Sequence, residues 1–273
     1  PARWLSIGSF GFQTSDIARF SILIFMAYYV DKQRDMIQNF QNGLLPALVI
    51  LFLIMSLIII QPDYSTAIMI GFLGMLILFI GGAKISQILL TCSIALLIGI
   101  PVLLSREYRR ERVLSFFGIG DNPDVGYQAH QSLISLGNGG LFGTGLGNSV
   151  EKNHFLPTPH TDFIFAIIGE ELGFLIGTVP VLTLFLLIFF QGIKIAKNCN
   201  DPFGIFLSVG IVSNLILYAF VNAAVVTGLL PVTGLPMPMV SYGGSGMIIN
   251  MSLIGILLNI SQAKRAFGDN VWT

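Results

Sequence analysis

The chain has 273 residues, of which 54% are hydrophobic and only 10% charged, and its 14 Lys and Arg balance 14 Asp and Glu. A soluble domain carries about a quarter charged residues, so the composition excludes one. With zero net charge, no overall basicity points to nucleic acid. What it predicts is an all-α polytopic membrane bundle, organised as one integral membrane domain over residues 1–273.

The chain opens on a polar stretch with an aromatic, Arg3-Trp4-Leu5-Ser6-Ile7-Gly8. It has no initiator Met, basic n-region or signal h-region, and reads as the interior of a longer protein with membrane segments upstream. Seven apolar stretches follow, at residues 16–30, 44–60, 66–82, 88–104, 162–190, 203–226 and 247–260. A spanning helix needs about 20 apolar residues, with about 17 as the lower limit. The first and last stretches are therefore short and must borrow flanking residues. Neither the alternation of a β-barrel nor an internal repeat is visible. Cys92 lies in an apolar run and Cys199 in a polar loop, which excludes a disulfide framework or a metal cluster.

Basic residues in short loops set the orientation. Lys32 and Arg34, Lys84, Lys194 and Lys197, and Lys264 and Arg265 fall in alternate loops, which places those loops in the cytoplasm. The turn Gln61-Pro62-Asp63 and the segment 229–246 hold no base and fall outside. The long loop 105–161 also falls outside, yet it carries Arg106, Arg109, Arg110, Arg112 and Lys152. An external anionic ligand would account for that exception. A structureless loop of this length is uncommon unless functional. The segment 228–246 is apolar but rich in Pro and Gly, so it cannot continue as a straight helix. Irregular backbone at membrane depth must be buried in protein or line a watery cavity. One external cavity formed by both loops is the economical expectation.

Asp162 sits where the loop Leu156-Pro157-Thr158-Pro159-His160-Thr161 turns into an apolar segment. It is either a first-turn carboxylate with Thr161 as N-cap, or a general base raised in basicity by partial desolvation. His160 beside it is a second base or a hydrogen-bonded structural group. Glu170 and Glu171 lie further along the same segment, about 12 Å deeper if the helix is continuous. Glu170 falls about 80° from Asp162 around the helix and Glu171 about opposite, which makes Glu170 the expected cavity neighbour; an interhelical ion pair or helix-break support is the alternative. The run from Arg106 to Arg112 is either a solvated face with i,i+4 pairs or a clamp for a pyrophosphate. The glycines at residues 137–149 lack the preceding strand and the Gly-Lys-Ser/Thr ending of a nucleotide loop. They read as tight turns and close helix approach, with an anion nest still open. Asp63 reads as a helix cap, and Asp16 with Arg19 as a pair.

Several ordered motifs are similar to those of the SEDS family of FtsW/RodA/SpoVE-type cell-wall polymerases. They are Arg3-Trp4, Gln13-Thr14-Ser15-Asp16, Gln61-Pro62-Asp63, Gly126-Tyr127-Gln128 with Gln131-Ser132-Leu133, and Gly145-Leu146-Gly147-Asn148-Ser149. His160-Thr161-Asp162-Phe163-Ile164-Phe165-Ala166, Gly169-Glu170-Glu171-Leu172-Gly173, Leu230-Pro231-Val232-Thr233-Gly234 and Ser241-Tyr242-Gly243-Gly244-Ser245 complete the match. The resemblance implies seven of ten transmembrane helices, in the bacterial cytoplasmic membrane with the active site facing outward. It implies an inverting peptidoglycan glycosyltransferase that polymerises lipid II, in cell division or in elongation and cell shape, leaning to the division-type branch. Asp162 would then deprotonate the acceptor 4-hydroxyl, with undecaprenyl pyrophosphate as leaving group. Arg3, Arg19, Asp63, Arg106, Arg109, Lys152, His160, Glu170, Ser241 and Tyr242 are the implied substrate contacts. A divalent cation, Mg or Mn, is an expectation at the pyrophosphate. The implied partners are a class B penicillin-binding protein transpeptidase and the divisome or elongasome. The pattern departs at Thr158, Asp16, Ser65 and Gly246, which affects auxiliary contacts. A lipid II flippase is the alternative from another functional class. It would need access from the cytoplasm, whereas the unusual loops open outward.

Overall fold

The structure, a computed structural model, describes residues 4–7, 10–119, 123–152 and 160–268. Helices cover all seven of the apolar stretches. A short antiparallel hairpin precedes them, β1 (Trp4–Ile7) and β2 (Phe10–Gln13), with Trp4 opposite Gln13. The chain forms two compact units.

The first unit comprises Pro1–Ile94, Ile188–Leu215 and Gly244–Thr273. In it, α1 (Thr14–Lys32), α2 (Leu45–Ile60) and α3 (Tyr64–Ile80) pack on one another. Leu23, Met26, Leu51, Ile70, Leu73 and Ile77 are almost wholly buried there. Gly74 allows the close crossing, because a side chain at that position would meet Leu51 at 2.7 Å. Asp63 caps α3 by accepting from Thr66 N at 3.3 Å, and its other oxygen accepts from Ser15 Oγ at 2.9 Å and Gln13 Nε2 at 3.3 Å. Asp16 pairs with the buried Arg19 at 3.1 Å and accepts from Ser245 Oγ at 3.0 Å on α10 (Gly244–Gly268). The cap and the pair read from the sequence are both present.

The second unit comprises Ala95–Leu187 and Ile216–Gly243. Its core gathers Phe163, Phe165, Ala166 and Ile167 with Phe185, Ala219, Ala223, Val226 and Met237. The expected loop 105–161 is not structureless, since it contains α5 (Glu107–Phe116) and α6 (Pro123–Gly139). The remaining helices are α4 (Ile85–Leu104), α7 (Ile164–Gly173), α8 (Val179–Asn198) and α9 (Pro202–Val226).

Among the described residues, five helical segments are long and apolar enough to cross a membrane: Phe40–Ile60, Ile85–Leu104, Ile164–Asn198, Pro202–Val226 and Gly244–Gln262. Helix α3, at 17 residues, sits at the lower limit. Helix α1 carries Asp16, Arg19, Asp31 and Lys32, too many charges for an ordinary span. The 35-residue segment Ile164–Asn198 would measure about 52 Å if straight, well beyond a hydrocarbon core of about 30 Å. It is not straight. Gly173 has φ +79°, and beyond it the chain turns back. A side chain at Gly177 would lie 2.7 Å from Ile168 O and 2.9 Å from Leu172 Cβ. In a continuous helix, Gly177 and Ile168 would be separated by more than two turns. The expected single helix over 162–190 is therefore two, a short re-entrant α7 and a full-length α8.

The reversal is held by the glycine segment between α6 and α7. Thr144 N donates to Glu170 O at 2.9 Å and Gly145 N to Glu171 O at 3.0 Å, while Phe174 N donates to Gly140 O at 2.9 Å and Leu175 N to Leu141 O at 3.0 Å. These bonds pair backbone groups that lipid would leave unsatisfied. A side chain at Gly139 would fall 2.0 Å from Gly169 O. Close helix approach is thus what the glycines provide.

Candidate active site

Helix α7 starts at Ile164, with Phe163 as N-cap and no side-chain cap. Asp162 therefore lies before the helix rather than in its first turn, and Thr161 is not its N-cap. Residues 160–163 form a turn whose main chain is held at three consecutive carbonyls. Tyr242 N donates to His160 O at 2.9 Å, Ser241 Oγ to Thr161 O at 2.6 Å, and Asn222 Nδ2 to Asp162 O at 2.7 Å. The same groups hold the loop after α9. Asn222 Nδ2 also donates to Leu235 O at 2.8 Å, and Ser241 Oγ accepts from Met237 N at 2.8 Å. Phe163 and Phe165, each 1% exposed, anchor the turn in the core.

The Asp162 side chain is half-buried, and no hydrogen bond reaches its carboxylate among the described residues. Gly234 lies beside it, close enough that a Cβ there would stand 3.5 Å from Asp162 Oδ2. Arg112, on α5, donates to Val232 O at 3.0 Å, and its guanidinium lies 4.5 Å from the Tyr108 ring centre, with a hydrogen bond between Arg112 Nη2 and Tyr108 Oη. Burial pushes the Asp162 carboxyl above the usual aspartate range, and the positive charge of Arg112 opposes that rise. A carboxylate with raised basicity, a rigid main chain and no donor already attached is equipped to take a proton.

The other expected site residues divide. His160 and Tyr242 flank the turn and are exposed, Tyr242 at 81%. Ser241 is there too, but its hydroxyl is committed to main-chain groups on both sides. Glu170 does not share the surroundings of Asp162. It is fully buried and accepts from Ser149 Oγ at 2.6 Å, Val150 N at 2.9 Å and Ser135 Oγ at 3.0 Å. Glu171 pairs with Lys152 at 2.7 Å, and Lys152 Nζ also donates to Gly147 O at 2.6 Å. The alternative of a helix-break support describes these two acids, Glu171 through its ion pair and Glu170 through neutral donors, because both fasten the glycine segment to the reversal at Gly173. Arg106 is exposed at the start of α5, and Arg109 donates to Val102 O at 3.1 Å. Arg19 and Asp63 belong to the helix-terminal network of the first unit. Arg3 lies outside the described residues. Arg112, Asn222 and Gly234 were not singled out from the sequence. Only Arg112 had a signal, as one of four arginines in a short run.

Among the described residues no group of three or more His, Cys, Asp or Glu is arranged to hold a metal ion. One carboxylate beside a guanidinium is not the oxygen-rich donor set of a resident Mg or Mn.

Comparison with known proteins agrees along nearly the whole chain. The family described as cell cycle protein FtsW/RodA/SpoVE matches residues 1–266. A probable peptidoglycan glycosyltransferase FtsW of Geobacter sulfurreducens is 40% identical over 261 residues, covering 95% of this chain and 70% of the relative. Stage V sporulation protein E of Bacillus subtilis is 39% identical over 263 residues, covering 96% and 72%. Among solved structures, a chain from a peptidoglycan synthase complex that coordinates polymerization and crosslinking superposes with a TM-score of 0.76 at 26% identity, covering 96% of this chain and 73% of that one. The rod shape determining protein RodA of Thermus thermophilus shares the fold, with a TM-score of 0.59 at 23% identity, covering 95% and 69%.

Proposed function

The chain belongs to the FtsW/RodA/SpoVE family of cell cycle proteins, and on that premise we propose that it is a peptidoglycan glycosyltransferase in which Asp162 is the general base. The observation that carries this reading is the state of Asp162: half-buried, fixed at its own carbonyl, raised in basicity and with no hydrogen bond reaching its carboxylate among the described residues. A general base has to sit within hydrogen-bond reach of the proton it removes and have a pKa raised toward the working pH. Asp162 meets the second condition and leaves room for the first.

In the proposed reaction the acceptor is lipid II. Its 4-hydroxyl gives its proton to Asp162 as the oxygen attacks the anomeric carbon of a lipid-linked glycan. The bond from that carbon to pyrophosphate breaks, and undecaprenyl pyrophosphate leaves with the electron pair. Attack from the face opposite the leaving group inverts the anomeric centre. Arg112 is the cation best suited to steady the departing anion. It is planar, held by Tyr108 and Val232 O, and close enough to act on Asp162 electrostatically. Any divalent cation would be carried by the pyrophosphate oxygens, since the residues described supply no cage for one. The active site facing outward from the cytoplasmic membrane, a role in division and assembly with a crosslinking transpeptidase complete the reading. They are supported by the basic-loop pattern, by FtsW-named relatives and by the peptidoglycan synthase complex among the structural neighbours.

The test is polymerisation of purified lipid II by the membrane-reconstituted protein, wild type against Asp162→Asn. Glycan strands should form with the wild type and not with the variant. Undiminished polymer from Asp162→Asn would overturn the assignment. Lipid translocation without polymer would replace the polymerase with a flippase.

A further inference from the structure

The sequence offered no reason to look at Asn222. It lies in α9 and is 1% exposed, yet its amide nitrogen donates to two carbonyls from different segments, Asp162 O at 2.7 Å and Leu235 O at 2.8 Å. That geometry fixes which way the amide points, since a flipped amide would set Oδ1 against two carbonyl oxygens. Oδ1 itself is buried with no hydrogen-bond partner among the described residues. A buried acceptor left unsatisfied costs about 1–3 kcal/mol, and the amide nitrogen offsets that by satisfying two main-chain carbonyls that leucine or methionine would leave without this donor. What only a double donor of this shape does is tie residue 162 to residue 235 at one fixed spacing.

Gly234 occupies the space that spacing controls. It is exposed, has φ +71°, and the Cβ it lacks would face Asp162 Oδ2. A Cβ there would stand at 3.5 Å, in van der Waals contact, so nothing could pass between it and the carboxylate. A hydroxyl that gives up its proton must come to about 2.6–3.2 Å from the base. With hydrogen in place of a side chain, that face of Asp162 is open.

Resting on the reading of Asp162 as base, we propose that Asn222 and Gly234 together define the gap in which the acceptor hydroxyl meets Asp162. Asn222 is a positioning residue that sets the width of the gap through two main-chain carbonyls. Gly234 determines what enters it, because its missing side chain is the room the sugar hydroxyl uses. The ligand chemistry is a secondary alcohol on a pyranose ring, presented edge-on between a carboxylate and a loop backbone.

Steady-state polymerisation by the membrane-reconstituted protein, followed alongside thermal unfolding, separates these roles from simple structural support. Asn222→Ala should lower kcat about a hundredfold, the effect of a displacement near 1 Å, with KM for lipid II unchanged. Asn222→Asp keeps the shape but sets an acceptor against two carbonyl oxygens. It should lose kcat in the same way and, over the pH range where Asp162 is still ionised, regain part of it as pH falls and the new carboxyl gains a proton to donate to one of the two carbonyls. Gly234→Ala should abolish turnover. Gly228→Ala is its control, because Gly228 has the same φ of +71° in the same loop but meets only the Leu133 side chain. It should retain activity.

Wild-type kcat in either Asn222 variant, a change confined to KM, or activity lost only in proportion to unfolded protein would overturn the positioning role. Equal losses in Gly234→Ala and Gly228→Ala would overturn the gap. Asp162→Asn, run in parallel, tells the two failures apart: if it is inactive while the Asn222 and Gly234 variants work, only this inference fails.

Discussion

One acid stands just before helix α7 and another near its C-terminal end, and the two are treated in opposite ways. Glu170, near its C-terminal end, is fully buried and surrounded by donors: two serine hydroxyls and a backbone N–H. Asp162, just before its N-terminal end, is half-buried, and among the described residues no donor reaches its carboxylate. Every clamp around Asp162 ends on the main chain instead. Burial alone does not mark the reactive acid, since the more deeply buried one is the structural one. A buried carboxylate with both oxygens already accepting hydrogen bonds has little left to offer a substrate. One that is partly desolvated and unoccupied still has its basicity to use.

This contrast can be broken experimentally, first at its reactive end. Asp162→Asn should cost about 10²–10⁴-fold in polymerisation rate and leave the thermal unfolding temperature in detergent unchanged. A matching fall in that temperature would place Asp162 with the structural acids. Glu170→Ala should do the reverse. It takes the acceptor from the buried Ser149 hydroxyl and from Val150 N and leaves Ser135 Oγ only its bond to Ala166 O, which should cost about 1–3 kcal/mol of stability, read as a lower unfolding midpoint. A stable but inactive Glu170→Ala would show that Glu170 takes part in the chemistry after all.

Arg112→Gln tests the tuning. Asp162 works as a base only when ionised, so activity falls as pH drops through its pKa, and burial already places that acidic limb above the ordinary aspartate value of about 3.9. Removing the opposing positive charge should move the limb to still higher pH. A limb that stays or moves down would remove Arg112 from the site. The smallest effect is expected from Lys152→Met. The Lys152–Glu171 pair is partly solvated, with 24% and 15% of the side chains exposed, so its loss should cost no more than about 1 kcal/mol. A large loss of activity there would mean that Lys152 does more than fasten the turn.

The membrane class, the helix positions, the cap at Asp63 and the Asp16–Arg19 pair were all legible in the residues. The reversal at Gly173 was not, because apolar composition is continuous from Ile164 to Asn198 and hydropathy does not record direction. The company of Glu170 was hidden for a related reason. Its partners Ser149 and Ser135 lie 21 and 35 residues upstream, and a helical wheel drawn on one continuous helix points it at Asp162. Among the arginines, sequence has no means to say that Arg112 is the one that reaches Val232 O, since that depends on how α5 is rotated. Asn222 was invisible as one more polar residue in a 25-residue apolar helix.

The holds on residues 160–162 all grip peptide oxygens, so the frame is blind to which side chain stands at 162. An enzyme built this way can be disarmed without being dismantled. The Asp162→Asn protein should keep the turn, the loop after α9 and the opening at Gly234 in place, and so bind both lipid-linked sugars side by side without joining them. It would be a natural bait for capturing the two substrates in one stalled complex.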